Sequence, residues 1–395
     1  MTKKLVILGA GIGGLTAIGE LRQRKMLSNS DLEVTLIDQD FTHFQGFTLP
    51  WIMRGWRTAE QATLTPSDQA LDGVHTITGT VTTIDTQRKK VLGEHFAADY
   101  DALIVALGAR NNPGIVPGLA EAAAAGVAHH FYSIVEADHA HHALKGFAGG
   151  NVAVLIPSLP YRCPVAPYEG AMLIHDYLIE HGRRTHTQID IFTVEPQPMP
   201  SAGTGPGRKL MTLLEDAHIG FHPNMQCQSV DAAARLIHFQ DEITAPFDLL
   251  LFVPPHEPAS GLGGHSGWIS VDAHTLATEH EGVWAIGDIT GITTPSGRPL
   301  PKAAIMAKGH AKTAVGGALQ FLGIASETTA FNGHGYCFID TGDHESARGI
   351  GDFYALPDPA VELVAPSKEL HQLKQQEERD WANHWATKPR EPHVS

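Results

Sequence analysis

Apolar residues in this chain gather in short unbroken runs that stop at glycine or aspartate, with little strict alternation. "KKLVILGAG" runs into Gly9, "LEVTLIDQD" stops at Asp38, "YDALIVALGAR" at Gly108 and "TEHEGVWAIGDIT" at Gly287-Asp288. Runs rich in Val, Ile and Leu, bounded by turn residues, predict strands buried on both faces, as in a parallel sheet. Between them lie stretches with helical spacing. After Gly14, the apolar positions Leu15, Ile18 and Leu21 predict one helix, and a second is predicted from about Pro167 to His181, with Gly182 as its stop. "NVAVLIP", that helix and "QIDIFTVEPQ" form a β-α-β unit of their own between Gly108 and Asp288.

Strand and helix in alternation predict an α/β fold of two Rossmann-like dinucleotide-binding domains, the second inserted in the first, plus a C-terminal α+β segment. The expected boundaries are 1–112 with 253–328 for the first domain, 113–252 for the insert, and 329–395 for the C-terminal segment. The tail "SKELHQLKQQEERDWANHWATK" is predicted to be helical, with Leu370, Leu373, Trp381 and Trp385 near one face.

The first turn, Gly9-x-Gly11-x-x-Gly14, lets a pyrophosphate approach backbone N–H groups at a helix N-terminus, and Asp38 closes the next strand where it can accept hydrogen bonds from a ribose. With Gly108 and with Gly287-Asp288, this turn resembles the nucleotide-contacting segments of two-dinucleotide-binding-domain flavoproteins. The resemblance implies FAD, with Asp288 on its ribityl chain.

Composition narrows the classes. The 395 residues are 43% hydrophobic and 18% charged with 40 glycines, as suits a globular α/β chain, and the net charge of −15 argues against nucleic acid as a partner. The apolar run at the N-terminus is too short for a secretory signal and flows into the glycine turn. No run approaches a membrane span of roughly 20 residues. The expectation is a cytoplasmic protein with, at most, peripheral membrane contact. The three cysteines, Cys163, Cys227 and Cys337, are too few for a disulfide scaffold. None forms a zinc-type pair, and the histidine pairs lack helical spacing with a carboxylate, so no metal site is expected.

In the insert, the turn that would need glycines for NAD(P)H reads Pro157-Ser158-Leu159-Pro160-Tyr161-Arg162-Cys163-Pro164. Prolines and bulky side chains fill the space of a pyrophosphate and remove N–H donors, so NAD(P)H is not the expected reductant. Cys163 stands instead just before a helix N-terminus, a position that favours thiolate. Glu169, in the first turn, can relay protons or simply compensate the helix dipole. Cys337, in "FNGHGYCFIDTG", reads by itself as a core cysteine, and Cys227 as structural on an edge strand.

"YRCPVAPYEGA", "FDLLLFVPPHEP", "GYCFIDTG", "FQGFTLPWIMRGW" and "LPKAAIMAKGHA" together resemble the sulfide:quinone oxidoreductase and flavocytochrome c sulfide dehydrogenase flavoprotein family. That resemblance implies a redox-active Cys163–Cys337 pair beside FAD. Hydrogen sulfide is then oxidised to sulfane sulfur or polysulfide, and electrons pass to a quinone. It implies Lys302 near the flavin as a stabiliser of developing negative charge, and Phe338 against a quinone ring.

Two departures keep alternatives open. Val135, in "SIVEADHA", stands where many quinone reductases of the family carry a third cysteine, which brings the chain closer to the cytochrome c-linked flavoprotein. No cysteine stands where some relatives attach the flavin, so non-covalent FAD is expected. Pro50, Trp51 and Trp56 point back to quinone. A type II NADH:quinone reductase and a persulfide-binding flavoprotein without turnover are the other readings. The tail helix is expected to dock on the chain's own body, on a second subunit of a homo-oligomer, or on a membrane surface.

Overall fold

The computed structural model describes residues 2–44, 46–259, 267–325 and 327–386. Five parallel strands form the first sheet, in the order Val283–Ala285, Ala102–Val105, Lys3–Leu8, Leu32–Asp38, His75–Thr78. Leu5, Val6, Ile7 and Leu8 are each at most 1% exposed, so the opening strand is covered on both faces. One cover is the helix Ile12–Gln23, which packs on the helix Ala304–Phe321 through small residues, among them Ala17, Ala311 and Ala314.

A second five-stranded parallel sheet has the order Ala128–His129, Leu249–Phe252, Gly150–Ile156, Thr187–Thr193, Ile219–His222. The helix Ala166–Glu180 connects Gly150–Ile156 to Thr187–Thr193, and Gly182 follows it at φ 66°, as its sequence predicts. This is the α/β architecture expected from the apolar runs. Cys227 opens an edge strand, Cys227–Asp231; it is buried in an apolar cluster, and burial pushes its thiol up to about 11.

The third layer is an antiparallel sheet of His334–Gly342, Glu345–Asp352 and Ala360–Ser367. The terminal helix Lys368–Trp385 starts at Ser367, whose hydroxyl accepts from Leu370 N at 3.2 Å, and packs across this sheet. The helix forms as expected, yet its buried face differs. His371, Lys374, Glu378, Ala382 and Trp385 face inward, while Leu373 is 50% exposed and Leu370 and Trp381 are half-buried. The inward polar residues are all paired: Lys374 bonds two carboxylates, His371 bonds Asp340, and Arg57 donates to Glu378 at 2.9 Å. Burial of paired charge overrode the apolar stripe that hydrophobic spacing suggests.

Candidate functional site

A cavity of about 600 Å³ runs along the carboxyl ends of all five strands of the first sheet. Gly9, Asp38, Gly79, Gly108 and Asp288 each follow or close one of these strands and line it. Ligands of open α/β sheets sit at this edge.

The glycine turn is built for close approach. A Cβ on Gly9, at φ 95°, would lie 2.5 Å from Ala106 O, whereas a Cβ on Gly11 would meet nothing within 4 Å, which leaves free space at the helix N-terminus. Gly14 does not line the cavity; its missing Cβ would fall 1.8 Å from Gly9 O, so this glycine lets the helix pack closely on the turn. Asp38 accepts from Ala10 N at 2.7 Å and from Phe41 N at 2.9 Å. It braces the turn from behind, and its two oxygens retain lone pairs toward the cavity.

At the other end stand Lys302 and Asp288. The Lys302 ammonium donates to the backbone oxygens of Asp288 and Thr290, both at 2.7 Å, and lies 3.6 Å from the centre of the Trp268 ring. Burial lowers Lys302 to about 8, opposed by Asp288, while burial also raises the Asp288 carboxyl. Two buried wall atoms, Tyr132 Oη and His43 Nε2, have no hydrogen-bond partner among the described residues. An open glycine cradle, a cavity-lining aspartate at the end of a strand and unsatisfied buried polar atoms fit FAD. Gly9, Gly11, Asp38, Gly108, Gly287 and Asp288, which line the cavity, would hold it.

Cys163 and Cys337 both line this cavity, half-buried. Cys163 N donates to Lys302 O at 2.7 Å, which pins the cysteine in the left-handed region at φ 55°. Cys337 lies mid-strand, paired with Gly349. Cys337 is the largest cause of a Cys163 thiol held well above its ordinary value; burial adds to it, while Lys374 and the backbone of Val165 oppose. A helix N-terminus alone predicts the opposite sign. In the reduced pair, the neighbouring thiol and loss of solvent outweigh the dipole.

Glu169 also lines the cavity, and it is fully buried with its carboxyl held well above the usual range by burial, against the pull of Lys374. Its Oε1 accepts from Lys374 Nζ at 2.5 Å and from Asp340 N at 3.1 Å. The same ammonium donates to Asp340 Oδ2 at 2.6 Å. Phe338 lines the cavity with Pro50 and Phe47, but Trp51 and Trp56 line a separate cleft. Val135, at the third-cysteine position, is 62% exposed.

The glycine-free turn of the second sheet is filled from within. Glu195 lies two residues beyond the strand Thr187–Thr193, where an acid would hold a nucleotide ribose. Here it is 1% exposed and accepts from the hydroxyls of Tyr161, Tyr168 and Thr193. Burial raises it to about 7 against these hydrogen bonds.

Sequence reasoning missed Lys374, Asp340, Arg162 and Glu195. Arg162 is visible only as a neighbour of Cys163. It lines the cavity and donates to Asn111 Oδ1 at 3.0 Å and to Tyr132 O at 2.8 Å. Lys374 carries no sequence signal, since it stands among the tail's many solvated charges.

Residues 3–311 match the family model described as pyridine nucleotide-disulphide oxidoreductase. A mitochondrial sulfide:quinone oxidoreductase of Dictyostelium discoideum is 23% identical over 74% of this chain and 66% of its own length. The chain thus spans just under two thirds of that relative. A type II NADH:quinone oxidoreductase of Staphylococcus haemolyticus is 36% identical, but over 27% of this chain and 26% of its own. Among solved structures, the sulfide:quinone oxidoreductase of Aquifex aeolicus superposes with a TM-score of 0.83 at 19% identity, covering 98% of this chain and 93% of the other. That likeness extends the shared fold across the C-terminal layer, and with the family match it makes the chain a member of the pyridine nucleotide-disulphide oxidoreductase family, resembling its sulfide:quinone oxidoreductases.

Proposed function

We propose that the protein oxidises sulfide to sulfane sulfur or polysulfide at Cys163 and Cys337 and delivers the electrons, by way of non-covalent FAD, to a quinone. One observation carries the reading: two cysteines far apart in sequence line the wall of one nucleotide-type cavity.

In the oxidised pair, hydrosulfide attacks one Sγ. The S–S bond breaks, leaving a persulfide on the attacked cysteine and a thiolate on the other. Closing the bond again around the added sulfur releases one proton and two electrons. When bound, FAD supplies the acceptor for that electron pair and its path to the quinone. Lys302 holds positive charge beside the growing negative charge, and Glu169, whose carboxyl burial holds well above the usual range, lines the same cavity and is the group to hand on the proton. Pro50, Phe47 and Phe338 offer a flat apolar slot for a quinone ring. A lipid-borne acceptor sets the protein on a membrane surface, on our reading its cytoplasmic face. Among the described residues, no helix is long and apolar enough to cross a membrane.

Anaerobic mixing tests the proposal. Sulfide should bleach the visible flavin band and a short-chain quinone should restore it. Bleaching by NADH with none by sulfide would move the protein to the NADH:quinone class, and reoxidation by a c-type cytochrome in place of quinone would change the acceptor.

A further inference from the structure

A second cleft, about 860 Å³, is lined by Trp56, Arg54, Asp176, His344, His371 and Gln375. Between the cleft and the flavin-side cavity runs one unbroken series of buried hydrogen bonds. Glu169 Oε1 is 2.5 Å from Lys374 Nζ, Lys374 Nζ is 2.6 Å from Asp340 Oδ2, and Asp340 Oδ1 is 2.8 Å from His371 Nδ1. His371 Nε2 lies 3.2 Å from the Gln375 amide at the cleft end. All four groups of the series are at most 3% exposed. Trp51 Nε1, at 2.5 Å, and the Ser346 hydroxyl complete the shell of Asp340, while the rings of Trp56 and His344 pack on His371.

We propose that Lys374, Asp340 and His371 form a proton path from this cleft to Glu169, and through it to the cavity holding the two cysteines. The inference rests on the sulfide–quinone reading for its stoichiometry. Hydrosulfide yields one sulfur atom, one proton and two electrons; a quinone takes up two electrons and two protons. One proton per turnover therefore enters from solvent, and it is needed in the quinone half. Once Glu169 has given up its proton, the Lys374 ammonium gives one to the Glu169 carboxylate; His371 protonates the Asp340 carboxylate at Oδ1, the new O–H turns to the now neutral Lys374 amine and hands the proton on, and His371 takes a replacement from the cleft. One proton goes in, one comes out, and every group recovers its state. A purely structural role explains the cluster less well, because packed apolar side chains of similar volume hold a helix as firmly as a buried ion network, or more so.

The test uses flavin-loaded enzyme with His371→Ala and, to keep a hydrogen bond to Asp340 without a proton-relaying ring, His371→Asn. In both variants, reoxidation of sulfide-reduced enzyme by short-chain quinone should slow at least tenfold, with matching loss of proton uptake read by an indicator dye. The solvent deuterium effect should grow, and added imidazole, small enough for the cleft, should restore the rate in His371→Ala. Bleaching by sulfide should stay within twofold of wild type. In resting enzyme, the ring-nitrogen resonances of His371 should move in Glu169→Gln. Unchanged reoxidation and proton uptake in both variants, or unmoved resonances, overturn the path. Photochemical reduction of the flavin separates the two readings: failure of sulfide to bleach wild type sinks the sulfide chemistry, while the reoxidation comparison still decides the path.

Discussion

Cys163 is held by its backbone to Lys302, so thiol and ammonium occupy fixed places on one wall. Cys163→Ser and Cys337→Ser should each cut sulfide-driven flavin bleaching by about 10³-fold or more, since a hydroxyl neither forms the disulfide nor carries a persulfide. Their visible flavin spectra should stay intact, because neither residue cradles the nucleotide. On the proposed function, Lys302 is expected to set the alkaline limb. Its folded value, about 8, lies below the ordinary 10.5, so the folded protein binds fewer protons than the unfolded chain between those values. Keeping the charge costs stability below pH 8, and that cost fades as pH climbs through the window. Activity should move the other way, falling above about pH 8, and a pH–rate profile of Lys302→Arg should lack this limb.

Single residues with a motif around them were legible in the sequence: Cys163 between prolines, Cys337 in its strand, Lys302 in "LPKAAIMAKG". The acidity of Cys163 was not, because its sign is set by a partner thiol that only the tertiary fold supplies.

The terminal helix shows where sequence patterning stops at the scale of elements. Its existence and span follow from composition and the Ser367 cap, yet its inward face is His371, Lys374 and Glu378, chosen by carboxylates and an arginine on other elements. Trp385, at 1% exposure, anchors the C-terminal end of the same face, and Trp385→Ala should cost about 3–5 kcal/mol in denaturant titration. The plugged turn of the second sheet gives a prediction with a sign. The folded Glu195 value, about 7, is raised from 4.5, so its contribution is fully present below pH 4.5 and is lost as pH rises through 7. Relative to Glu195→Gln, wild type should lose on the order of 3 kcal/mol across that window, read as a converging or crossing pair of Tm curves. The missing glycines were visible in sequence; the acid and tyrosines that fill their place were not.

At the scale of the whole molecule, the apolar runs prescribe two parallel sheets, and the structure adds what joins them: a loop from one, a strand from the third layer and the strand ends of the other meet at a single cavity. The second sheet keeps the dinucleotide-binding architecture with its ligand edge sealed by Tyr161, Tyr168 and Glu195. NADH and NADPH should therefore leave the flavin band unchanged over times in which sulfide bleaches it fully.

The most direct test is mass spectrometry of alkylated, unreduced peptides after one equivalent of sulfide is added to the oxidised enzyme without acceptor. The account predicts peptides containing Cys163 and Cys337 that are covalently joined, or that carry a persulfide on one of the two, heavier by whole sulfur atoms. Recovery of both cysteines as singly alkylated, unlinked thiols while the flavin is bleached would contradict it.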